Sequence, residues 1–150
     1  MRVTFLGNFE VPYSSENHHA ASLETLGHEV IRLQEPTTSV AVITEQALRS
    51  DLFVWVHTHG WDTPGIEFAL KAMRGQHIPS ITYHLDLWMG LERQRDMRSS
   101  PYWDIDHFFT VDKKMADWLN DNTNVKGHFL PAAVFDKECY ISTEPSPHAN

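Results

Sequence analysis

Short apolar runs alternate with helically spaced segments along most of this chain, and that alternation constrains its fold more than any other feature. Val3-Thr4-Phe5-Leu6 reads as a buried strand that ends at Gly7-Asn8. Ala20, Leu23 and Leu26 then give helical spacing, with Gly27 where a helix stops. Glu29-Val30-Ile31-Arg32-Leu33 is a second strand, and a weaker helix follows over residues 43–48. Leu52-Phe53-Val54-Trp55-Val56 is the most continuous apolar run, as expected of a strand covered on both faces.

The pattern repeats. Thr63 as cap, Pro64 at the first helical position and an inward face of Ile66, Ala69, Leu70 and Met73 predict a helix that ends at Gly75. Residues 78–83 form a fourth strand, with Pro79 at its start. A largely polar helix is expected over 88–97, and His107-Phe108-Phe109-Thr110-Val111 is a fifth strand. Asp112 caps a helix with Met115, Ala116 and Leu119 inward, and residues 127–132 are a short sixth strand. Such alternation implies right-handed parallel crossovers. The expected fold is therefore α/β, a Rossmann-like three-layer sandwich around a mostly parallel sheet of about six strands. It occupies residues 1–135, with 136–150 a linker or tail.

Composition narrows the function classes. A chain of 150 residues suits one domain, and 41% apolar with 21% charged residues is globular usage. The net charge of −8, with only 12 Lys and Arg, argues against a nucleic-acid surface. Cys139 is the single cysteine, so an intrachain disulfide and a cysteine-based zinc site are excluded. No apolar stretch approaches the roughly 20 residues that span a bilayer, and the amino terminus is too short in its apolar part for a secretory signal. The expected environment is cytoplasmic and reducing.

In open parallel sheets, ligands bind outside the carboxyl ends of the strands where strand order reverses. Strand one delivers Asn8 there, and Ser14 and Ser15 lie on the path to the first helix. Strand three delivers His57, His59 and Trp61, and strand four delivers His84 and Asp86. Imidazoles can donate to sugar hydroxyls or exchange a proton near neutral pH, and the rings of Trp61 and Trp88 can pack on the apolar face of a sugar or base. The same imidazoles with Asp86 could hold a metal ion or simply line a wet cleft. Trp88 could equally fill core, and Asp86 could cap the next helix.

These residues resemble the amino-terminal, acceptor-side domain of GT-B fold glycosyltransferases of the family 4-like kind. Leu26-Gly27-His28-Glu29-Val30 is similar to the signature that opens the family's second strand. Ile81-Thr82-Tyr83-His84-Leu85-Asp86-Leu87 looks like its fourth-strand ending, and Asp106 to Asp112 and Asn124 to Val134 resemble later strands. The first loop departs from the family, with Ser14-Ser15-Glu16 where a glycine pair is usual. The resemblance implies sugar transfer from a nucleoside-diphosphate sugar to an acceptor, with His84 as the catalytic contact to the transferred sugar. Asn8, Ser14, Ser15, His57, His59, Trp61 and Asp86 would border the substrates, with no metal and no cofactor beyond the donor itself. It also implies a second Rossmann-like domain, on this chain or a partner chain, to hold the nucleotide. Two other classes fit the same sequence: a stand-alone Rossmann- or flavodoxin-like binding module without catalysis, and a histidine-rich metallohydrolase.

Overall fold

The computed structural model describes residues 1–58, 60–86 and 104–132. Six parallel strands run in the order β2-β1-β3-β4-β5-β6. They are β1 (Arg2–Gly7), β2 (Glu29–Gln34), β3 (Leu52–Trp55), β4 (Ser80–His84), β5 (His107–Thr110) and β6 (Lys126–Phe129). Four helices are described: α1 (Ser15–Thr25), α2 (Val40–Ala47), α3 (Ile66–Gly75) and α4 (Lys113–Asn122). This is an α/β Rossmann-like architecture, and every strand pairing is parallel. The expected helix over 88–97, Trp88 and the tail over 136–150 lie outside the described residues.

The apolar run of β3 explains its central place. Phe53, Val54 and Trp55 are all buried, so successive side chains find cover on opposite faces. On one face Leu6, Leu33, Phe53, Trp55 and Phe108 pack with residues of α2, α3 and α4, among them Ile43, Leu70, Met73, Met115 and Leu119. On the other, Val3, Phe5 and Val54 pack with Ala20 of α1. The chain leaves β1 outward to β2, then crosses back to β3, so strand order reverses between β1 and β3.

Several element ends differ from the sequence reading, each for a local reason. Helix α1 begins at Ser15, earlier than the apolar spacing suggests, because Ser14 accepts the N–H of Asn17 as N-cap. Its expected inward residue Leu26 is 73% exposed, lying beyond the last helical residue. Helix α3 starts after Gly65, whose φ of 79° is left-handed, and neither Thr63 nor Pro64 belongs to it. Strand β6 is Lys126–Phe129 rather than 127–132. Asp112 does cap α4, its Oδ1 accepting the N–H groups of Lys114 and Met115 at 3.0 and 3.3 Å.

The amino-terminal rim of the sheet is tied by carboxylates. The Arg2 N–H donates to Asp51 at 2.7 Å, and the N–H and hydroxyl of Ser80 both donate to Asp106, at 2.8 and 2.9 Å. Such bonds fix where each strand begins. The carboxyl rim is left for the site.

Candidate functional site

Glu35 immediately follows β2, and its N–H continues the sheet by donating to the carbonyl of Gly7 at 3.0 Å. Alternation puts its side chain on the face of Leu33, toward the helices that cover Trp55. There the carboxylate is 1% exposed and accepts four hydrogen bonds. The indole N–H of Trp55, the hydroxyl of Thr63 and Nδ1 of His57 meet Oε1 at 2.8, 2.7 and 2.5 Å. The N–H of Thr58 meets Oε2 at 3.0 Å. Burial alone pushes the Glu35 carboxyl up. The His57 hydrogen bond and charge, with the bonds from Thr58 and Thr63, outweigh it and hold the group below its ordinary range. Glu35 is thus an ionised carboxylate, buried and saturated with donors.

That arrangement fixes His57. An ionised carboxylate only accepts, so Nδ1 of His57 carries a proton and donates it to Glu35. The imidazole meets Trp55 edge-on, with ring centroids 5.3 Å apart. Its side chain is one-quarter exposed, opening onto a cavity of about 370 Å³. Trp61, Asp62, Thr63 and Glu67 share that cavity. The loop is shaped by Gly60, whose φ of 86° permits the turn in which the Trp61 N–H bonds the Thr58 carbonyl at 3.1 Å. The cavity therefore lies beside the reversal between β1 and β3, where this class of sheet places its ligands.

The other sequence candidates are distributed less tightly. Asn8 is half-buried after β1, its Oδ1 accepting from Gln34 at 3.5 Å, and it does not line the His57 cavity. Ser14 caps α1, and Ser15 donates to Glu16 at 3.0 Å. Glu16 itself is buried in the first turn, against Gly7, where a methyl would meet its Cγ at 2.8 Å. That helix start is filled by the protein's own groups, so the two serines serve local structure. His84 is 8% exposed on β4, its ring 5.9 Å from Phe108, on the sheet face it shares with Trp55 and Phe108. It does not line the His57 cavity. Asp86 is exposed, and His59 lies outside the described residues.

Sequence reasoning missed Glu35, the group around which the site is built. One signal was available: a lone acid immediately after the carboxyl end of strand two. Thr63, read as a helix cap, instead directs its hydroxyl to that acid. Among the described residues, no three of His, Cys, Asp and Glu gather where they could hold a metal ion. No described helix is long and apolar enough to cross a membrane.

No family model and no curated protein matches this chain. Solved structures resemble it distantly. The pyridoxal-5'-phosphate dependent protein YhfS from Escherichia coli shares 15% identity at a TM-score of 0.38, over 54% of this chain and 22% of that one. CapF, solved with the inhibitor 3-isopropenyl-tropolone, shares 13% identity at 0.45, over 73% of this chain and 31% of CapF. A conserved protein from Enterococcus faecalis shares 12% identity at 0.41, over 88% and 91%. The chain spans less than a third of the length of the first two.

Proposed function

We propose that this chain is the acceptor-side domain of a nucleotide-sugar-dependent glycosyltransferase, working in the cytoplasm beside a second nucleotide-binding domain on the same or a partner chain. The observation that carries the reading is the cavity beside the β1/β3 reversal, where Trp61, the hydroxyl of Thr63, the imidazole of His57 and the carboxylates of Asp62 and Glu67 converge. An indole offers a platform for the apolar face of a sugar, and the polar groups can bond its hydroxyls. In this reading His84 contacts the transferred sugar from the neighbouring strand end, and Asn8 and Asp86 border the cleft. The donor's nucleotide is held by the second domain. The family resemblance adds the donor class, a nucleoside-diphosphate sugar.

A second reading, a binding module without catalysis, has one observation in its favour. The first five strands run 2-1-3-4-5, the order of flavodoxin-like folds.

Side-chain NMR of the chain, titrated with nucleotide sugars and with a panel of methyl glycosides, separates them. The transferase reading expects glycosides to shift the signals of Trp61 and His57, nucleotide sugars to bind weakly, and the chain alone to form no product. Tight binding of a nucleotide or flavin without response to any glycoside sinks it in favour of the binding module. Measurable turnover by the 150-residue chain also overturns it, because one side of a two-domain cleft would then suffice.

A further inference from the structure

Helices α2, α3 and α4 pack on one face of the sheet, and among the described helices α1 alone packs on the other. Right-handed crossovers produce that division, because the chain moves outward from β1 to β2 and in the opposite direction from there to β6. Val54, Ile81 and Phe109 face the α1 side, and with Leu23 of α1 they border a groove of about 390 Å³. The Tyr83 hydroxyl donates to the Pro131 carbonyl at 2.9 Å, which holds the chain leaving β6 against one end of the groove. His19 is the member that packing does not explain. Helical spacing sets it on the sheet-facing stripe with Glu16, Ala20 and Leu23. Its half-buried imidazole lines the groove and meets the Tyr83 ring, centroids 4.9 Å apart. Among the described residues it makes no hydrogen bond. Ser22 and Tyr83, the other polar side chains there, are committed to the carbonyls of His18 and Pro131. Burial, with His18 nearby, lowers the proton affinity of His19, so its ring is neutral at pH 7.5, with one donor and one acceptor.

We infer that this groove binds a small, uncharged aromatic alcohol, its rings against Tyr83 and Phe109 and its hydroxyl bonded to the imidazole of His19. The groove lies on the opposite face of the sheet from the His57 cavity, and the inference does not depend on the transferase reading. Charge sets the first limit. Among the described residues no Asp, Glu, Lys or Arg lines the groove, so an ionised ligand would be desolvated there without a counter-charge. Ring chemistry sets the second, since Tyr83, Phe109 and the imidazole offer faces and edges to a planar π-system. Size sets the third: an apolar cavity of about 150 Å³ holds one benzene ring, so 390 Å³ suits roughly two to three fused rings. A hydroxyl both donates and accepts, so it can serve either nitrogen of the neutral ring.

The test is methyl and aromatic ¹³C NMR of the 150-residue chain at pH 7.5, with 2-naphthol, naphthalene and 2-naphthoate as probes. The expected result is that 2-naphthol shifts the methyls of Leu23, Val54 and Ile81 and the ring of His19 along one saturating curve. Naphthalene should shift the same methyls but bind about 3–10-fold more weakly, as the loss of one hydrogen bond implies. 2-Naphthoate should leave them in place. In His19→Phe, 2-naphthol should bind no more tightly than naphthalene, and continued naphthalene binding shows that the variant is folded. Undiminished 2-naphthol affinity in that variant overturns the role of His19, and with it the inference. So does 2-naphthoate binding as tightly as 2-naphthol, or no saturable shift of the groove methyls with any probe. Two further outcomes assign the groove to another occupant and also overturn it. One is concentration-dependent sedimentation with intermolecular contacts at these methyls, which means a second copy. The other is intramolecular contacts from them to another stretch of the same chain.

Discussion

Gly127 of β6 runs so close to Ala116 of α4 that a methyl group added at Gly127 would lie 2.5 Å from the Ala116 carbonyl oxygen. No side-chain rotation relieves that contact, because both partners are backbone. Gly127→Ala should therefore shift α4 off the sheet edge and destabilise the fold by about 1–3 kcal/mol. Urea unfolding monitored by circular dichroism measures it. An unchanged midpoint would mean that α4 and β6 are not packed this closely.

Removing the buried acid at the site should cost stability. Glu35→Ala leaves the buried indole N–H of Trp55 without its acceptor and should cost on the order of 2–3 kcal/mol. Glu35→Gln keeps an acceptor oxygen in place and should cost clearly less. Equal losses in the two variants, compared by thermal unfolding, would show that hydrogen bonding to this group contributes little.

Acid should weaken the fold in two stages. Burial, with His18 nearby, lowers the affinity of His19 for a proton; burial lowers that of His107, helped by His128 and Lys126 and opposed by Asp106. Both take protons more readily when unfolded, so stability is full above the ordinary histidine value of 6.5 and declines as pH falls below it. Glu35, held below its ordinary 4.5, adds a second loss beneath that value. Urea midpoints taken from pH 8 to pH 3.5 map both stages, and His107→Asn should shrink the upper one. A midpoint constant between pH 7.5 and 5.5 contradicts the histidine part.

His77 is the only described non-glycine residue with positive φ, at 57°, where α3 gives way to β4. The N–H of His77 bonds the carbonyl of Arg74, and that of Ile78 bonds Met73, which closes the helix with a left-handed residue. Glycine adopts that conformation without penalty, so His77→Gly should stabilise the protein by about 0.5–1 kcal/mol. A lower melting temperature in the variant would show that the imidazole makes a compensating contact.

The layered architecture was legible because each apolar period reports burial directly. Leu52 to Val56 announced the central strand, and Met115, Ala116 and Leu119 announced the inner face of α4. Helix α1 was harder, since only Glu16 and Ala20 are buried along it and no apolar stripe marks its start. At the site, the sequence supplied the histidine of strand three and its rim position. It could not supply Glu35, which on paper is one acid beside a proline and whose partners lie 20 to 28 residues away. Burial of a charge is a property of the assembled sheet, and no local pattern encodes it. Thr63 was misread for the same reason: a hydroxyl before a helix suggests a cap until a carboxylate from another strand comes within reach.

Because every strand points the same way, the two rims of the sheet carry separate duties. The rim at Arg2, Asp51, Ser80 and Asp106 is closed by bonds that set where strands begin. The opposite rim holds the loop from His57 to Gly65, whose side chains lie outside the residues that set strand register. Selection can therefore revise which ligand is met at one rim while leaving the folding instructions written at the other.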